Sequence, residues 1–338
     1  MILKRTVAAL ALLTLGVAAT TTRAADKGVT LTEQPGKVRV EINGQLFTEY
    51  VYEGAPRPYL YPIIGPTGAG VTRNYPMKKV EGEETDHIHH RSLWWGHRHV
   101  NGFSFWEETG RQGTIKHDKF LEIKGGKDSG VIKAQSKWIA TNNTLVATDV
   151  TTIRFHNVKQ GRMLDYDITI TAPKDSEVVF GDDKDAAMAI RIAETMRLTH
   201  RKKEGKKTVT SKGEGHIVMS TGVRDSETWG KRAAWCDYYG PVEGKTVGVA
   251  IFDHPDNPRH PTWWHVRDYG LFAANPFGIS QFEKLPNKEA GVMKIAPGQS
   301  VTFKYRFYWH EGDEKQGKVA ERYADYAKGA KNKAVTQK

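Results

Sequence analysis

The feature that most constrains the fold is the alternation of apolar and polar residues in many short segments. In residues 163–171, MLDYDITIT, one parity is apolar and the other carries aspartate and threonine; the apolar positions are Leu164, Tyr166, Ile168 and Ile170. Successive side chains of a β-strand point to opposite faces, so this pattern predicts an antiparallel strand with one buried and one wet face. Segments of the same kind are KVRVEING, LVATDVTTIRF, HIVMSTG, TVGVAIFD and SVTFKYRFYWH.

Many predicted strands and few predicted helices indicate an all-β fold. We expect a large antiparallel β-sandwich of the supersandwich type, with a short C-terminal helix in EKQGKVAERYADYAKGA. A second short helix is predicted around residues 184–189, where alanine is frequent. Residues 26–328 are expected to form a single sandwich domain and residues 329–338 a basic tail. Two sandwich domains that divide near Gly181 are the alternative.

The N-terminus has the pattern of a secretory signal peptide. Two basic residues precede an apolar to small-residue run over residues 6–20, and small residues suited to cleavage follow near Ala24. The run is shorter than the roughly 20 apolar residues that a membrane-spanning helix needs. We expect a signal peptide over residues 1–25, with an uncleaved anchor as the alternative. The mature chain is then exported to a bacterial periplasm or cell exterior without a membrane span, and the single cysteine, Cys236, excludes an intrachain disulfide.

The net charge of +11 is concentrated at the periphery of the chain. Residues 201–215 carry six basic and two acidic residues, and residues 328–338 add four lysines. Such runs are typical of solvated loops and tails, and capture of an anionic polysaccharide is the functional alternative. We expect no nucleic-acid partner, since the chain has no recognised nucleic-acid motif and export argues against one.

Five of the 13 histidines and three of the nine tryptophans lie in residues 86–106, DHIHHRSLWWGHRHVNGFSFW. In an extended strand the odd-numbered histidines share one face, namely His87, His89, His97 and His99. Imidazole is a ligand for Zn, Fe and Cu, so one interpretation of this segment is a divalent-metal site. Its candidate ligands are His87, His89 and His99.

The second interpretation is acid–base catalysis without a metal. Histidine titrates near neutrality, and His90 and His97 are the candidate acid or base. Arg91 would hold a carboxylate or an oxyanion. Aromatic side chains stack on the apolar faces of sugars, and the candidate substrate-binding residues of this segment are Trp94, Trp95, Asn101 and Trp106. A set of hydrogen-bonded core histidines is the remaining alternative.

A second concentration of polar and aromatic residues lies in residues 252–278, FDHPDNPRHPTWWHVRDYGLFAANPFG. His265 and Arg267 share one parity and Trp264 falls on the other, so a strand here buries Trp264 and presents the two polar residues. Asp268 follows directly and is placed to orient a histidine or pair with an arginine. We add His265, Arg267 and Asp268 to the catalytic candidates, and Trp264 and Asn275 to the substrate-binding candidates.

These two segments, together with YLYPIIGPTGAGVTRNYP upstream, resemble the DUF6807 family of exported bacterial proteins of unknown function, which has carried a methane oxygenase label. The quoted segments fall within residues 57–278. The resemblance implies a role in saccharide breakdown. The order of strands is also similar to the galactose-mutarotase-type supersandwich. The chain lacks the His-Gly and His-x-Tyr-Phe-Asn segments of the mutarotase active site, so mutarotase catalysis is not implied.

The sequence therefore predicts an exported carbohydrate-active protein. Its partner is a saccharide or glycoside, with an anionic saccharide as one option, and the favoured activity is that of a lyase, hydrolase or isomerase. A non-catalytic carbohydrate-binding protein is the first alternative. A metal-dependent oxygenase is the second, and it requires iron or copper at the histidines.

Overall fold

The computed structural model describes residues 27–204, 207–328 and 330. The strands in chain order are β1 (Val29–Gln34), β2 (Lys37–Ile42), β3 (Gln45–Val51), β4 (Tyr59–Ile63), β5 (Leu93–His97), β6 (Thr114–Lys124), β7 (Ser129–Ile139), β8 (Leu145–His156), β9 (Arg162–Thr171), β10 (Val178–Phe180), β11 (Ala186–Arg191), β12 (Thr199–Glu204), β13 (Lys207–Lys212), β14 (His216–Met219), β15 (Trp235–Val242), β16 (Lys245–Asp253), β17 (Trp263–Val266), β18 (Leu271–Asn275), β19 (Met293–Ile295) and β20 (Ser300–Glu311). The helices are α1 (Ile279–Phe282) and α2 (Val319–Ala327), with 3-10 turns at Glu194–Met196 and Asp225–Thr228. The predicted signal peptide at 1–25 and, apart from residue 330, the predicted tail at 329–338 lie outside the described residues.

Two large antiparallel sheets of eight strands each build the molecule. The first sheet has the order β1-β2-β3-β4-β5-β11-β18-β17, and the second has the order β14-β15-β16-β20-β9-β8-β7-β6. Two small antiparallel pairs, β10 with β19 and β12 with β13, accompany them. The prediction of an all-β, large antiparallel sandwich with a short C-terminal helix is confirmed.

The core lies between the facing sides of the two sheets. Burial alternates along β9, and Leu164, Ile168 and Ile170 lie in the main apolar cluster. On the other face of the same strand, Asp165 accepts two hydrogen bonds from Arg306 of β20, at 2.6 and 2.9 Å. Since burial of one large apolar side chain contributes about 1.5–3 kcal/mol, this alternation fixes which face of the strand turns inward.

The predicted short helix around residues 184–189 is wrong. Residues 186–191 form β11, which pairs with β5 on one side and β18 on the other, and all six of its residues are buried. The helical preference of alanine is worth less than 1 kcal/mol per residue, so pairing on both edges overrides it. Within the described residues, no helix is long and apolar enough to cross a membrane.

Candidate active site on the outer face of the first sheet

One row of side chains crosses the four strands at one end of the first sheet, on its outer face. The register pairs Trp94 of β5 with Ala189 of β11, Ala189 with Ala273 of β18, and Ala273 with His265 of β17. With about 4.8 Å between neighbouring strands, the row is roughly 14 Å long. The two alanines are fully buried, and Trp94 and Trp106 pack with them in a cluster separate from the main core. Residues of both predicted segments therefore share this face.

The predicted extended strand through residues 86–99 is wrong, because only Leu93–His97 is a strand. His87 and Ser92 have left-handed φ angles of 45° and 56°, which interrupt an extended backbone. Residues 86–92, called the histidine loop below, instead fold over the outer face beside Trp94. Side-chain parity consequently carries no information about which of its histidines point together.

A column of four stacked rings joins the histidine loop to the second segment. The ring of Tyr269 lies 5.4 Å from that of His87, His87 lies 4.6 Å from His90, and His90 lies 5.3 Å from Trp94. The interplanar angles are 9°, 11° and 23°. The two segments singled out in the sequence therefore meet, and Tyr269 makes the contact.

Three buried arginines hold the histidine loop in place. Each donates to an acceptor of the loop: Arg57 to the carbonyl of His89 at 2.6 Å, Arg73 to the carbonyl of His87 at 3.0 Å, and Arg191 to Nδ1 of His90 at 3.3 Å. All three are at most 2% exposed. Burial lowers the pKa of Arg191 to about 10, so its guanidinium stays charged at neutral pH. Hydrogen bonds from a charged donor are among the stronger ones, and they fix the loop from below.

Asp86 and His87 form a half-exposed pair at the top of the loop. His87 Nδ1 lies 2.6 Å from Asp86 Oδ2. Burial opposes ionisation of Asp86, but the hydrogen bond from His87 and the charges of Arg191 and Arg73 outweigh it and bring the pKa of Asp86 well below its usual range. Because Asp86 is an ionised acceptor, Nδ1 of His87 is the donor, and Nε2 is the ring nitrogen that stays outside the pair.

His89 and His90 of the loop are neutral at pH 7. Burial, followed by the charge of Arg57, lowers the pKa of His89 to about 3. Burial and the charge of Arg191 lower the pKa of His90 well below its usual range. His90 is 1% exposed and lies inside the ring column, so it supports His87 and does not reach a substrate.

His265 lies at the other end of the outer-face row, in a defined tautomer. Trp229 Nε1 donates to His265 Nδ1 at 2.8 Å, and Nε2 lies 3.6 Å from Asp185 Oδ1. Burial lowers the pKa of His265 to about 3, so the neutral ring holds its proton on Nε2, directed toward the Asp185 carboxylate. The prediction that Asp268 orients a histidine does not match this arrangement, because Trp229 has that position. Asp268 instead accepts from the Thr199 hydroxyl at 2.8 Å.

The two predicted charge-stabilising arginines differ in their surroundings. Arg91 binds Glu108 through two atoms, Nε at 2.8 Å and Nη2 at 2.7 Å, so its charge is already compensated inside the protein. Arg267 is half-buried, and its guanidinium lies 5.5 Å from the Tyr269 ring and 5.9 Å from the Trp229 ring. Arg267, not Arg91, therefore has its charge available to a ligand.

Three predicted residues lie on the core side of the first sheet. Trp95 packs against Phe303 at 5.1 Å, and Trp264 donates Nε1 to the carbonyl of Ala233 at 2.9 Å. His97 is fully buried, with Phe277 at 4.6 Å, and burial lowers its pKa to about 3. The sheet separates all three from the histidine loop. The predicted roles of Trp95 and Trp264 in the sugar pocket and of His97 as acid or base therefore have no support in this geometry.

The predicted three-histidine metal site does not form. His87 and His89 have ring centres 5.7 Å apart, but the exposed His99 lies beside Asp183, with Nδ1 3.3 Å from Oδ2. In the part of the chain that the structure describes, no group of three or more histidine, cysteine, aspartate or glutamate side chains is arranged to hold a metal ion.

Two predicted substrate-binding asparagines hold loops together. Asn101 accepts from the backbone of Val179 at 2.6 Å. Asn275 donates to the carbonyl of Lys184 at 2.7 Å and accepts from the backbone of Phe277 at 2.7 Å. Asn275 thus fixes the segment that carries Asp185, and it affects the site only through the position of that segment.

Several residues of the site were not predicted from sequence, namely Arg57, Arg73, Asp185, Arg191, Trp229 and Tyr269. Arg191 has a recognisable signal, because a single charge ends the apolar segment AAMAIR and buried arginines are rare unless paired. The others are brought to the site by the tertiary fold. A separate cleft of about 490 Å³ contains none of the predicted residues; among its lining residues are Asn43, Lys159, Arg162, Tyr308 and Gln316.

Comparisons with known proteins place the chain in a family. No curated protein matches the sequence. Similar solved structures include the Slr1438 protein from Synechocystis sp. PCC 6803, with 9% identity, a TM-score of 0.35 and coverage of 88% of this chain and 100% of that one. A galactose mutarotase-like protein from Lactobacillus casei ATCC 334 has 9% identity, a TM-score of 0.35 and coverage of 84% and 100%. A galactose mutarotase related enzyme from Lactobacillus acidophilus has 8% identity, a TM-score of 0.29 and coverage of 83% and 97%. The model of DUF6807, a family of unknown function, matches residues 37–324, and the chain belongs to that family.

Proposed function

We propose that the protein is a carbohydrate-active enzyme in which His87 acts as a general base on a saccharide bound against the histidine loop. The observation that carries the proposal is the Asp86–His87 pair. The imidazole is held at Nδ1 by an ionised carboxylate, its side chain is 37% exposed, and Nε2 has no hydrogen-bond partner among the described residues. A fixed, accessible nitrogen lone pair is what proton abstraction requires.

The surroundings of His87 support a sugar as the ligand. Tyr269 and Trp229 are half-buried aromatic rings on either side of Arg267. Aromatic rings pack against the apolar faces of sugars, and charged groups such as Arg267 and Asp185 form strong hydrogen bonds to hydroxyl groups. Aromatic surface and polar groups therefore occur together within reach of the proposed base.

Export is part of the proposal and is supported by the leader pattern of residues 1–25. Expression in a bacterial host, followed by cell fractionation and N-terminal sequencing, tests it. We expect the mature chain outside the cytoplasm with its N-terminus near residue 25, and an intact Met1 in the cytoplasm would contradict export.

Turnover is tested without knowledge of the bond that changes. Purified protein is incubated in D₂O with a panel of aldoses, uronic acids and glycosides, and proton NMR follows substrate loss and exchange of carbon-bound protons. We expect at least one saccharide to be converted or exchanged by the wild-type protein. A saccharide that binds without conversion or exchange would instead assign the protein to the non-catalytic binding class.

A further inference from the structure

Tyr269 is surrounded by positive charge beside the proposed base. The guanidinium carbons of three arginines lie close to its ring: Arg191 at 4.8 Å, Arg201 at 5.3 Å and Arg267 at 5.5 Å. His87 stacks on the same ring at 5.4 Å. We call Tyr269 with these three arginines the cationic patch.

The carboxylates near the cationic patch do not compensate all of its charge. Asp86 Oδ1 lies 3.3 Å from Arg191 but is shared with the buried Arg73. Glu84 Oε2 lies 3.9 Å from Arg191 but is bound at 2.9 Å by Arg197, which is outside the patch. Asp268 lies 3.9 Å from Arg201, at the limit of an ion pair. Within the described residues, Arg267 has no carboxylate within 4 Å. A half-buried arginine whose carboxylate partner is missing leaves room for an anionic group of a ligand.

The positive charge continues from the patch onto the hairpin of β12 and β13. The hairpin starts at Thr199, whose hydroxyl donates to Asp268, and Arg201 follows as the link to Tyr269. Arg201 is exposed on β12. Lys207 and Lys212 are exposed on β13. The described basic side chains of the hairpin therefore add positive charge next to the cationic patch.

We propose that the site takes an acidic saccharide, with a sugar carboxylate bound by Arg267 and Arg201 and the next acidic units of the same chain lying along the β12–β13 hairpin. The inference rests on the proposed carbohydrate function of the site. A planar guanidinium matches a carboxylate through two parallel hydrogen bonds, and the half-buried rings of Trp229 and Tyr269 pack against the sugar ring. The exposed lysines act at longer range and attract a polyanion in a salt-dependent manner.

The first test is calorimetric titration of the wild-type protein with galacturonate, galactose and galactose 6-sulfate. We expect galacturonate to bind at least about tenfold more tightly than galactose, which corresponds to roughly 1.4 kcal/mol. Arg267→Gln should remove that preference, because it should weaken galacturonate binding much more than galactose binding. Thermal melting of the variant verifies that it is folded.

The second test uses trigalacturonate to distinguish binding by the hairpin from binding by the cationic patch. The double variant Lys207→Ser and Lys212→Ser should weaken trigalacturonate binding several-fold and leave galacturonate binding unchanged. The matched control is Lys174→Ser with Lys245→Ser, two exposed lysines outside the patch and hairpin, which should bind both ligands as the wild type does. Raising the salt concentration from 0.05 to 0.5 M should reduce the difference in trigalacturonate affinity between the two double variants.

The outcomes that overturn the inference differ from those that overturn the proposed function. Equal affinity for galacturonate and galactose overturns the acidic-saccharide inference and leaves the carbohydrate function standing. Galactose 6-sulfate that binds as tightly as galacturonate overturns the assignment to a carboxylate. Trigalacturonate binding that is insensitive to the hairpin lysines overturns the extended surface. Absence of binding for every neutral and acidic saccharide of the panel overturns the proposed function itself.

Discussion

Each large sheet carries a histidine–carboxylate pair on its outer face, and the two pairs have different surroundings. On the first sheet, His87 with Asp86 is partly exposed, and the two side chains are 37% and 36% exposed. On the second sheet, His310 of β20 and Asp237 of β15 are 1% and 0% exposed, with Nε2 3.0 Å from Oδ1. The same residue types therefore occur once at the surface and once in the interior.

The two pairs differ in how many nitrogens of the histidine ring have a hydrogen-bond partner. Both nitrogens of His310 have partners, because Nδ1 also lies 3.3 Å from the carbonyl of Glu311. A Cβ at Gly317 would lie 2.4 Å from Nδ1 of that ring, so the chain after β20 covers it closely. His87 uses only Nδ1. A histidine–carboxylate pair can take part in proton transfer only where one ring nitrogen stays free and reachable, and a fully covered pair contributes to stability instead.

The largest expected effect concerns activity. His87→Gln removes the base, and we expect turnover of the saccharide identified by NMR to fall by about 10²–10⁴-fold. The loss of stacking on His90 and Tyr269 should lower the free energy of unfolding by about 1.5 kcal/mol or less. The measurement is kcat/KM together with urea denaturation. The matched control is His216→Gln, since His216 forms a similarly exposed pair with Asp225 at 3.4 Å outside the site. Loss of activity in His216→Gln but not in His87→Gln would contradict the assignment of the base to His87.

The next effect concerns stability. Asp237→Asn removes the charged partner of the buried pair, and we expect the free energy of unfolding to fall by about 1–3 kcal/mol, because His310 releases its proton and the charge-assisted hydrogen bond is lost. Urea denaturation measures the loss. Asp256→Asn is the control, since Asp256 is 30% exposed and 3.7 Å from His254, and its effect should stay within about 0.5 kcal/mol. Equal losses in both variants would show that burial does not distinguish the pairs.

A smaller effect is a pH dependence of stability from His310. Burial opposes protonation, but the charge of Asp237 and the hydrogen bond to it outweigh burial and raise the pKa of His310 in the folded state. The folded protein then holds this proton more tightly than the unfolded chain does, whose histidine pKa is about 6.5. The resulting stabilisation is complete below pH 6.5 and is lost as pH rises through the folded-state pKa. Urea midpoints of wild type and His310→Gln between pH 6 and 9 should therefore converge with rising pH, and parallel curves would contradict the assignment.

The smallest effect concerns the tautomer of His265. Trp229→Phe keeps an aromatic ring and removes the donor to Nδ1, which leaves a buried acceptor without its partner. We expect a loss of about 1–2 kcal/mol in unfolding free energy and a decrease in turnover of about tenfold or less. Nitrogen-15 NMR of the imidazole tests the cause, because the variant should lose the single Nε2–H tautomer. A retained Nε2–H tautomer in Trp229→Phe would show that Asp185 alone sets it.

Local sequence pattern predicted the elements whose environment is itself regular. β9 has one face in the core and one outside, so its alternation is visible in MLDYDITIT. The alternation in KVRVEING ends at Asn43 and Gly44, which form the turn between β2 and β3 and have positive φ of 53° and 76°. β11 was missed because it is buried on both faces and its sequence shows no alternation.

The sequence predicted which two segments form the candidate site, but it did not predict how their side chains are arranged. The segments around residues 86–106 and 252–278 do meet, through Tyr269 and His87. The predicted common face of the odd-numbered histidines is wrong because left-handed φ angles at His87 and Ser92 interrupt the strand. Neither histidine nor serine signals that conformation in the sequence. Arg57 and Arg191 were missed because their partners lie 32 and 101 residues away in the chain.

The most direct test of the central claim is a crystal structure of the protein with the saccharide that it converts or binds. The account predicts the sugar on the outer face of the first sheet, with a hydroxyl oxygen or carbon-bound proton within hydrogen-bond reach of His87 Nε2 and the sugar ring against Tyr269 or Trp229. A sugar seated in the cleft lined by Arg162 and Tyr308, with the histidine loop unoccupied, would contradict it.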